Sequence, residues 1–449
     1  MKLKYLFLLL CGGIICSAFS TNAQVKKSFR RPSMCNFIVV HPEEKYLDSI
    51  TPILKDARIP ETYDDHNLSV RVINWDGEKY DLVLQKFGKP KGLNLDSLAQ
   101  TMEIVPDPKL PIEKMSVLRV NTDMFLSNNH IASRLVDQWF NRNPYTGVCN
   151  MDRVNAAVGL STQAADIDMS NRLSGGVGRV QDQVQKDLLG RTFVLVNEIH
   201  VIDHSNRGKT WGLITGLAMT ALAVATSSDG KISQSTQDDI AETANLISSW
   251  KKCALKVRTQ LYQLVWDDPE IEFFYNCYSD STDYAKARFF EENRNKFRLN
   301  YLGMAESKGG KTSFGDQEVS AVTLIKAATF RAIEDNIVDL QREFPQFRVV
   351  SPIEKVQDNM VYVPIGTREG VNSDSKYEVV EPEVKEDGTV TYKHICNLKP
   401  KSNEIWNNKF EAANVDGTDK NTKLTATTFI KQGGGEISDM MMVREVYKK

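Results

Sequence analysis

The chain is poor in the residue patterns that most often announce a chemistry. Seven cysteines are spread over 449 residues, and no two stand in a C-x-x-C arrangement. That excludes a zinc ribbon and a thioredoxin-like redox motif, and the wide spacing argues against a dense disulfide framework. No G-x-S-x-G occurs and no cysteine stands beside a histidine in sequence, so nucleophilic catalysis has no handle here. There is no excess of positive charge: 56 Lys and Arg face 58 Asp and Glu. A nucleic-acid partner, which usually demands a basic surface, is therefore not expected. No apolar run reaches the ~20 residues of a transmembrane helix, and no repeat of solenoid period or low-complexity tract is present.

What the sequence does carry begins at its first residue. MKLKYLFLLLCGGIICSAFSTNA has Lys2 and Lys4 ahead of an apolar stretch from Tyr5 to Cys16, then small and polar residues up to Thr21-Asn22-Ala23. This is the pattern of a secretory signal peptide, with cleavage expected after Ala23. Cys11 and Cys16 follow Leu10 and Ile15, which suits lipoprotein acylation poorly. The mature chain would then carry 54 basic and 58 acidic side chains and five cysteines: Cys35, Cys149, Cys253, Cys277 and Cys396. One bridge among them is possible; small buried residues in a chain that does not depend on disulfides are the simpler reading.

Segment by segment, residues 24–34 read as a basic flexible leader and residues 35–115 as a small irregular module, with CNFIVV and SVRVINW as its strands. From 116 to 350 the pattern predicts an α/β core. SVLRV (Ser116 to Val120) reads as a strand. IASRLVDQWF reads as a helix capped by Ser127 or Asn128, and TGVCNM as a short strand. RTFVLVNEIHVID is the clearest buried strand, ALKVRTQLYQLVW alternates as a half-buried strand should, and KFRLNYLGM is another. A long helix from about Asp316 to Phe344 closes at Pro345. A helical-hairpin insertion is expected at about 205–250. From 351 to 449, short strands separated by Gly, Asn and Asp turns predict a small β-barrel module. The fold class expected is thus α+β: an α/β sandwich core with a helical-hairpin insertion, plus a C-terminal barrel.

The pieces IASRLVDQWFNR, GVCNMDRVNAAVGL with its Asp152-Arg153 pair, LLGRTFVLVNEI and ATFRAIEDNIVDLQREF follow one another in a suggestive order. The layout resembles the periplasmic assembly-factor family typified by the curli-secretion channel protein and the TolB N-terminal domain. There, a helix, a strand ending in Asp-Arg, a helix and a hydrophobic strand alternate. MVYVPIGTREGVNSDSKYEVV resembles the small barrel of flagellar assembly protein T, and the layout suits exported Bacteroidota-type proteins. The resemblance implies a non-catalytic assembly role and marks Asp152 and Arg153 as the family-like pair; it implies no active site and no cofactor.

Three other candidates come from the residues themselves. AESKGGKT (Ala305 to Thr312) fits the permissive P-loop pattern, yet no helix follows Lys311-Thr312 at once, so the expectation is a flexible connection and no nucleotide. His200 and His204, on a strand, would share a face about 13 Å apart, too far for one ion, while His66 and His130 stand alone. WGLITGLAMTALAVAT (Trp211 to Thr226) is sixteen uncharged residues with Gly212 and Gly216 in Gly-x-x-x-Gly spacing. As a helix of about 24 Å it is either a hairpin packed on the domain or a neighbour, or a segment inserted in a membrane after oligomerisation. Trp211, Gly212 and Gly216 are the contact residues either way. The function expected is an exported cell-envelope scaffold or assembly protein, periplasmic or outer-membrane associated, whose partners are other envelope proteins or itself. The alternative is a periplasmic or secreted hydrolase whose catalytic residues are scattered in sequence.

Overall fold

The computed structural model describes residues 32–40, 59–60, 62–69, 72–74, 117–155, 186–203, 253–309, 321–384, 390–416, 419–438 and 441–447. Six strands build a mixed sheet: β1 (Ser33–Val40), β2 (Asp64–Asp65), β3 (Val72–Asn74), β4 (Thr192–Asp203), β5 (Cys253–Leu264) and β6 (Leu299–Gly309). Their order is β2-β1-β4-β5-β6, with β3 alongside β1. β1 runs parallel to β2, β3 and β4, and β4, β5 and β6 are antiparallel in turn. The strands of the expected irregular module at 35–115 therefore belong to the same sheet as the core.

β1 shows why its sequence is almost continuously apolar. Met34 and Ile38 enter one core with Phe193, Leu195, Ile199, Val257 and Leu261, whereas Cys35, Phe37 and Val39 enter another with Val194, Val196 and Tyr262. Successive side chains alternate between two covered faces, so neither can be polar. One face is covered by the long helix α5 (Ala321–Glu343), through Ala328, Ala332, Ile333, Ile337 and Leu340. The other is covered by α1 (Val117–Asn128) and α2 (Ile131–Trp139), through Leu126, Ile131 and Leu135. Beyond the ends of β4 and β5, an aromatic cluster gathers Trp139, Phe140, Trp266, Phe274, Phe290 and Phe297. It packs α2 against α3 (Asp268–Cys277) and α4 (Tyr284–Glu292).

Several local expectations are corrected. SVLRV is not a strand: its described residues open α1, where Arg119 and Asp123 pair at i,i+4 and Arg119, Thr122 and Leu126 fall on one buried side. Ser127 and Asn128 do not cap α2 but end α1. The turn between the helices puts His130 in the left-handed region at φ 50°, with Ser127 O accepting its N–H. TGVCNM forms no strand. Gly147, at φ +73°, turns the chain so that Cys149 N–H bonds Ser279 O and Thr146 O accepts Asp283 N–H.

The second sheet is antiparallel throughout: β7 (Ser351–Pro352), β8 (Lys355–Gln357), β9 (Met360–Val363), β10 (Tyr377–Val384), β11 (Val390–Pro400), β12 (Thr427–Gln432) and β13 (Met442–Glu445), in the order β7-β13-β10-β11-β12-β9-β8. It curls as a half-barrel around Val361, Val363, Tyr377, Val379, Leu398, Phe429 and Val443. The outermost strands, β7 and β8, are separated only by Ile353 and Glu354, so one short stretch of chain serves both edges.

Candidate functional site

α5 has two working sides. Opposite the face that fills the first core, it meets the second sheet along a charged seam. Arg331 holds Asp416 with both terminal nitrogens, at 3.3 and 2.8 Å, and donates from Nε to Phe410 O at 3.0 Å. Lys409 reaches Asp335 at 3.0 Å, and Arg342 reaches Glu445 at 3.2 Å. At the middle of the seam lies the Gly366–Gly370 turn. The backbone N–H of Gly366 and Nδ2 of Asn408 both donate to Glu369 at 2.7 Å, while Asn408 Oδ1 accepts the Arg368 N–H at 2.8 Å. Arg368 Nε lies 2.9 Å from Glu334 Oε1 but off-line for a hydrogen bond, so that contact is Coulombic. Glu334 also accepts the Phe410 N–H at 3.1 Å.

The seam is costly to ionise. Burial raises the Glu334 carboxyl from 4.5 to about 7, against the opposing pull of Arg368. Burial likewise raises Glu369, against the donors from Asn408 and Gly366. Desolvation outweighs the ion pair because the carboxylate gives up more hydration than one off-line guanidinium returns.

The family-like pair Asp152-Arg153 divides in two. Asp152 is exposed, and its N–H bonds the Asn150 side chain. Arg153 reaches inward, donating from Nη2 to Asp65 O at 2.9 Å and meeting His66 Nδ1 at 3.0 Å. His66, fully buried, makes its other bond to Leu135 O at 3.1 Å. Since that carbonyl and the guanidinium can only accept and donate respectively, the ring carries its proton on Nε2. Its ring centroid lies 4.7 Å from that of Trp139, and Trp139 Nε1 donates to Thr192 Oγ1 at 2.9 Å. Burial first, and then Arg153, lowers the His66 pKa to about 3. A neutral imidazole with both nitrogens engaged clamps β2 to α2; it has no lone pair left for general-base work.

A third buried network sits under α1. Arg119 Nε donates to both Asp123 oxygens at 2.9 and 2.7 Å, and its guanidinium lies 3.3 Å from the Tyr301 ring centroid. The Tyr262 hydroxyl lies 2.6 Å from Asp123 Oδ1 and 2.8 Å from Gln260 Oε1. Burial raises both the Asp123 and Tyr262 pKa values. Tyr262→Phe removes the only donor in this trio of oxygens, and a stability loss of about 1–3 kcal/mol is expected in denaturant unfolding. An unchanged midpoint would place the hydroxyl outside the network's energetics.

AESKGGKT is not a flexible connection over its first half. β6 continues through Gly309, with Ala305 to Gly309 paired against Thr259 to Leu255 of β5. Backbone committed to a ladder cannot wrap a phosphate. Titration with ATP is expected to show no saturable binding, in the native chain and in Lys311→Ala alike. His200 lies on β4, while His204 and the segment Trp211 to Thr226, with Gly212 and Gly216, lie outside the described residues. Among the described residues, no group of three His, Cys, Asp or Glu is placed to hold a metal, and no helix is long and apolar enough to cross a membrane.

The seam residues Glu334 and Glu369 were not legible as a site. The one signal that pointed there was the Gly366-x-x-x-Gly370-Val371 run, because both glycines are required by close packing: a Cβ on Gly370, at φ +80°, would meet Val338 at 2.6 Å.

Two sheets, one a curled antiparallel half-barrel, together with helices, make this a mixed α+β protein. No protein-family model matches the chain, and no curated protein matches it either.

Proposed function

We propose that the protein is an exported component of the cell envelope, periplasmic or outer-membrane associated, that acts as a non-enzymatic scaffold or assembly factor. In this reading the chain is an α/β sandwich core with a helical-hairpin insertion at about 205–250 and a small C-terminal barrel, and its partners are other envelope proteins or further copies of itself. The observation that carries it is the β6 edge. Among the described residues this eleven-residue strand pairs with β5 alone, and its centre carries the exposed Met304. Long edges of that kind are what strand addition from another chain uses. The ionisable groups at the seam, at His66 and at Asp123 are each engaged by neighbouring groups, which suits a scaffold better than a hydrolase.

Light-scattering mass of the mature chain tests this. The expected result is an oligomer, or a complex with a second envelope protein, that Met304→Lys weakens at least tenfold while leaving the circular-dichroism spectrum unchanged. A monomer at tens of micromolar that draws down no envelope protein overturns the reading. Flotation with liposomes decides the membrane role of Trp211 to Thr226. Protein that stays soluble at high salt without detergent removes the membrane from the proposal.

A further inference from the structure

Four cysteine side chains are described, all buried: Cys35, Cys149, Cys277 and Cys396. Cys35 lies in the core between the first sheet and α1–α2, and Cys396 lies inside the second sheet. Only Cys149 and Cys277 share a cluster, the aromatic one beyond the ends of β4 and β5. Cys277 is the last residue of α3, and Cys149 lies in the irregular segment after Gly147. Two backbone bonds lay that segment along the exit from α3: Cys149 N–H to Ser279 O at 2.7 Å, and Asp283 N–H to Thr146 O at 2.9 Å. Gly147 lets the two stretches close up, since a Cβ there would meet Asp283 O at 3.0 Å and Ala287 Cβ at 3.1 Å. Each thiol is raised by burial, and the Cys277 pKa is raised further by charge on Cys149, as expected of neighbouring sulfurs. The Cys149 Sγ lies 3.5 Å from the Gly147 carbonyl and also meets the Ser279 backbone, contacts too weak for a thiol to fix the side chain against another partner.

We propose that Cys149 and Cys277 are a disulfide-forming pair, which in an oxidising compartment ties the 147–151 segment to the C-terminal end of α3. It deepens the export reading, because such a bond persists only outside the reducing cytosol. Each thiol gives up one proton and one electron as the two sulfurs join. A small-molecule disulfide such as oxidised glutathione accepts both electrons and both protons and leaves as two thiols. The closed loop is long, so the bond restricts the unfolded chain strongly.

The test refolds the full mature chain in a glutathione redox buffer, blocks remaining thiols with iodoacetamide in denaturant, and maps peptides by mass spectrometry. Peptides carrying Cys149 and Cys277 are expected to emerge linked, with Cys35 and Cys396 alkylated. Reduction is expected to lower Tm by about 5–10 °C. In Cys149→Ser, Cys277 is expected to become alkylated and Tm to lose its dependence on reductant; the double variant should match either single one. Alkylation of both cysteines in the refolded native chain, or linkage of either to a different cysteine, overturns the pairing. Fractionation of the source cells is read separately. Protein found in the cytosol would overturn export while leaving an in-vitro bond between these two residues standing.

Discussion

Gly366→Ala is expected to cost about 2–6 kcal/mol and to loosen the second sheet from α5. A Cβ at this position would sit 2.2 Å from the Trp406 carbonyl oxygen and 2.5 Å from Asn408 Oδ1. The first obstacle is backbone and the second is the side chain that organises the turn, so neither can swing aside cheaply. Overpacking of this kind costs about 1–3 kcal/mol. Any shift that relieves it also pulls Asn408 or the Gly366 N–H away from Glu369, a fully buried carboxyl with those two donors, which adds about 1–3 kcal/mol for an unsatisfied group. Chemical denaturation reads the loss directly. Limited proteolysis within 401–416 should be faster in the variant, because Trp406, Asn407 and Asn408 lie against the turn. A variant with native stability would mean that the cradle closes by some other contact.

A second large effect lies in the pH dependence of stability, where two buried groups pull in opposite directions. For His66 the folded pKa is lowered from 6.5 to about 3. The unfolded chain then binds the extra proton below pH 6.5, so this contribution is fully present above 6.5 and is lost as pH falls towards 3. For Glu334 the folded pKa is raised from 4.5 to about 7. Here the folded chain binds the extra proton, so its contribution is fully present below 4.5 and is lost as pH rises through 7. Between 4.5 and 6.5 the two slopes, each about 1.4 kcal/mol per pH unit, oppose one another. Burial also raises Asp123, Asp137 and Glu369, with the same sign as Glu334, so the native chain should keep its stability in mild acid.

Glu334→Gln isolates one half of this balance. It keeps an acceptor for the Phe410 N–H but cannot ionise beside Arg368, Lys409 and Glu369. The stability difference between native and variant chains should move by roughly 3 kcal/mol between pH 4.5 and 7, with the native chain relatively better at the acid end. Parallel curves would show that Glu334 does not titrate in the fold. Nuclear magnetic resonance of the His66 ring checks the other half: its shifts should stay constant from pH 8 to 5, where an ordinary imidazole titrates.

How much of this could be read beforehand depended on how local each cause was. The apolar run Phe193 to Val196 had to lie in a buried strand. Asp283 caps α4 by accepting the Lys286 N–H across one turn, a cause that lies within four residues. The apolar spacing in Ala321 to Glu343 required a helix with a buried face. By contrast, the five residues of SVLRV are too few to separate period 2 from period 3.6, and the polar residues that settle the matter, Thr122 and Asp123, come just after. Ala305 to Gly309 has the composition of a loop and is held as a strand only by its partner on β5. His66 looked solitary in DDHN because the groups that define it, Leu135, Trp139 and Arg153, come 69 to 87 residues later. The Asp152-Arg153 pair was visible as a motif; only the fold separates its exposed acid from its inward base.

β1 and β4 also bear on how the chain reaches this state. Ser33 pairs with Thr192 and Val39 with Glu198, in parallel register, at the middle of the first sheet. About 160 residues must be made before the innermost strand meets its neighbour, and the helix that covers their shared core begins more than a hundred residues later still. Pairings so distant form late, after a large loss of chain entropy, and they make for slow folding. A chain emerging from its N-terminus thus stays without its central ladder until Thr192 to Glu198 have followed β1 out.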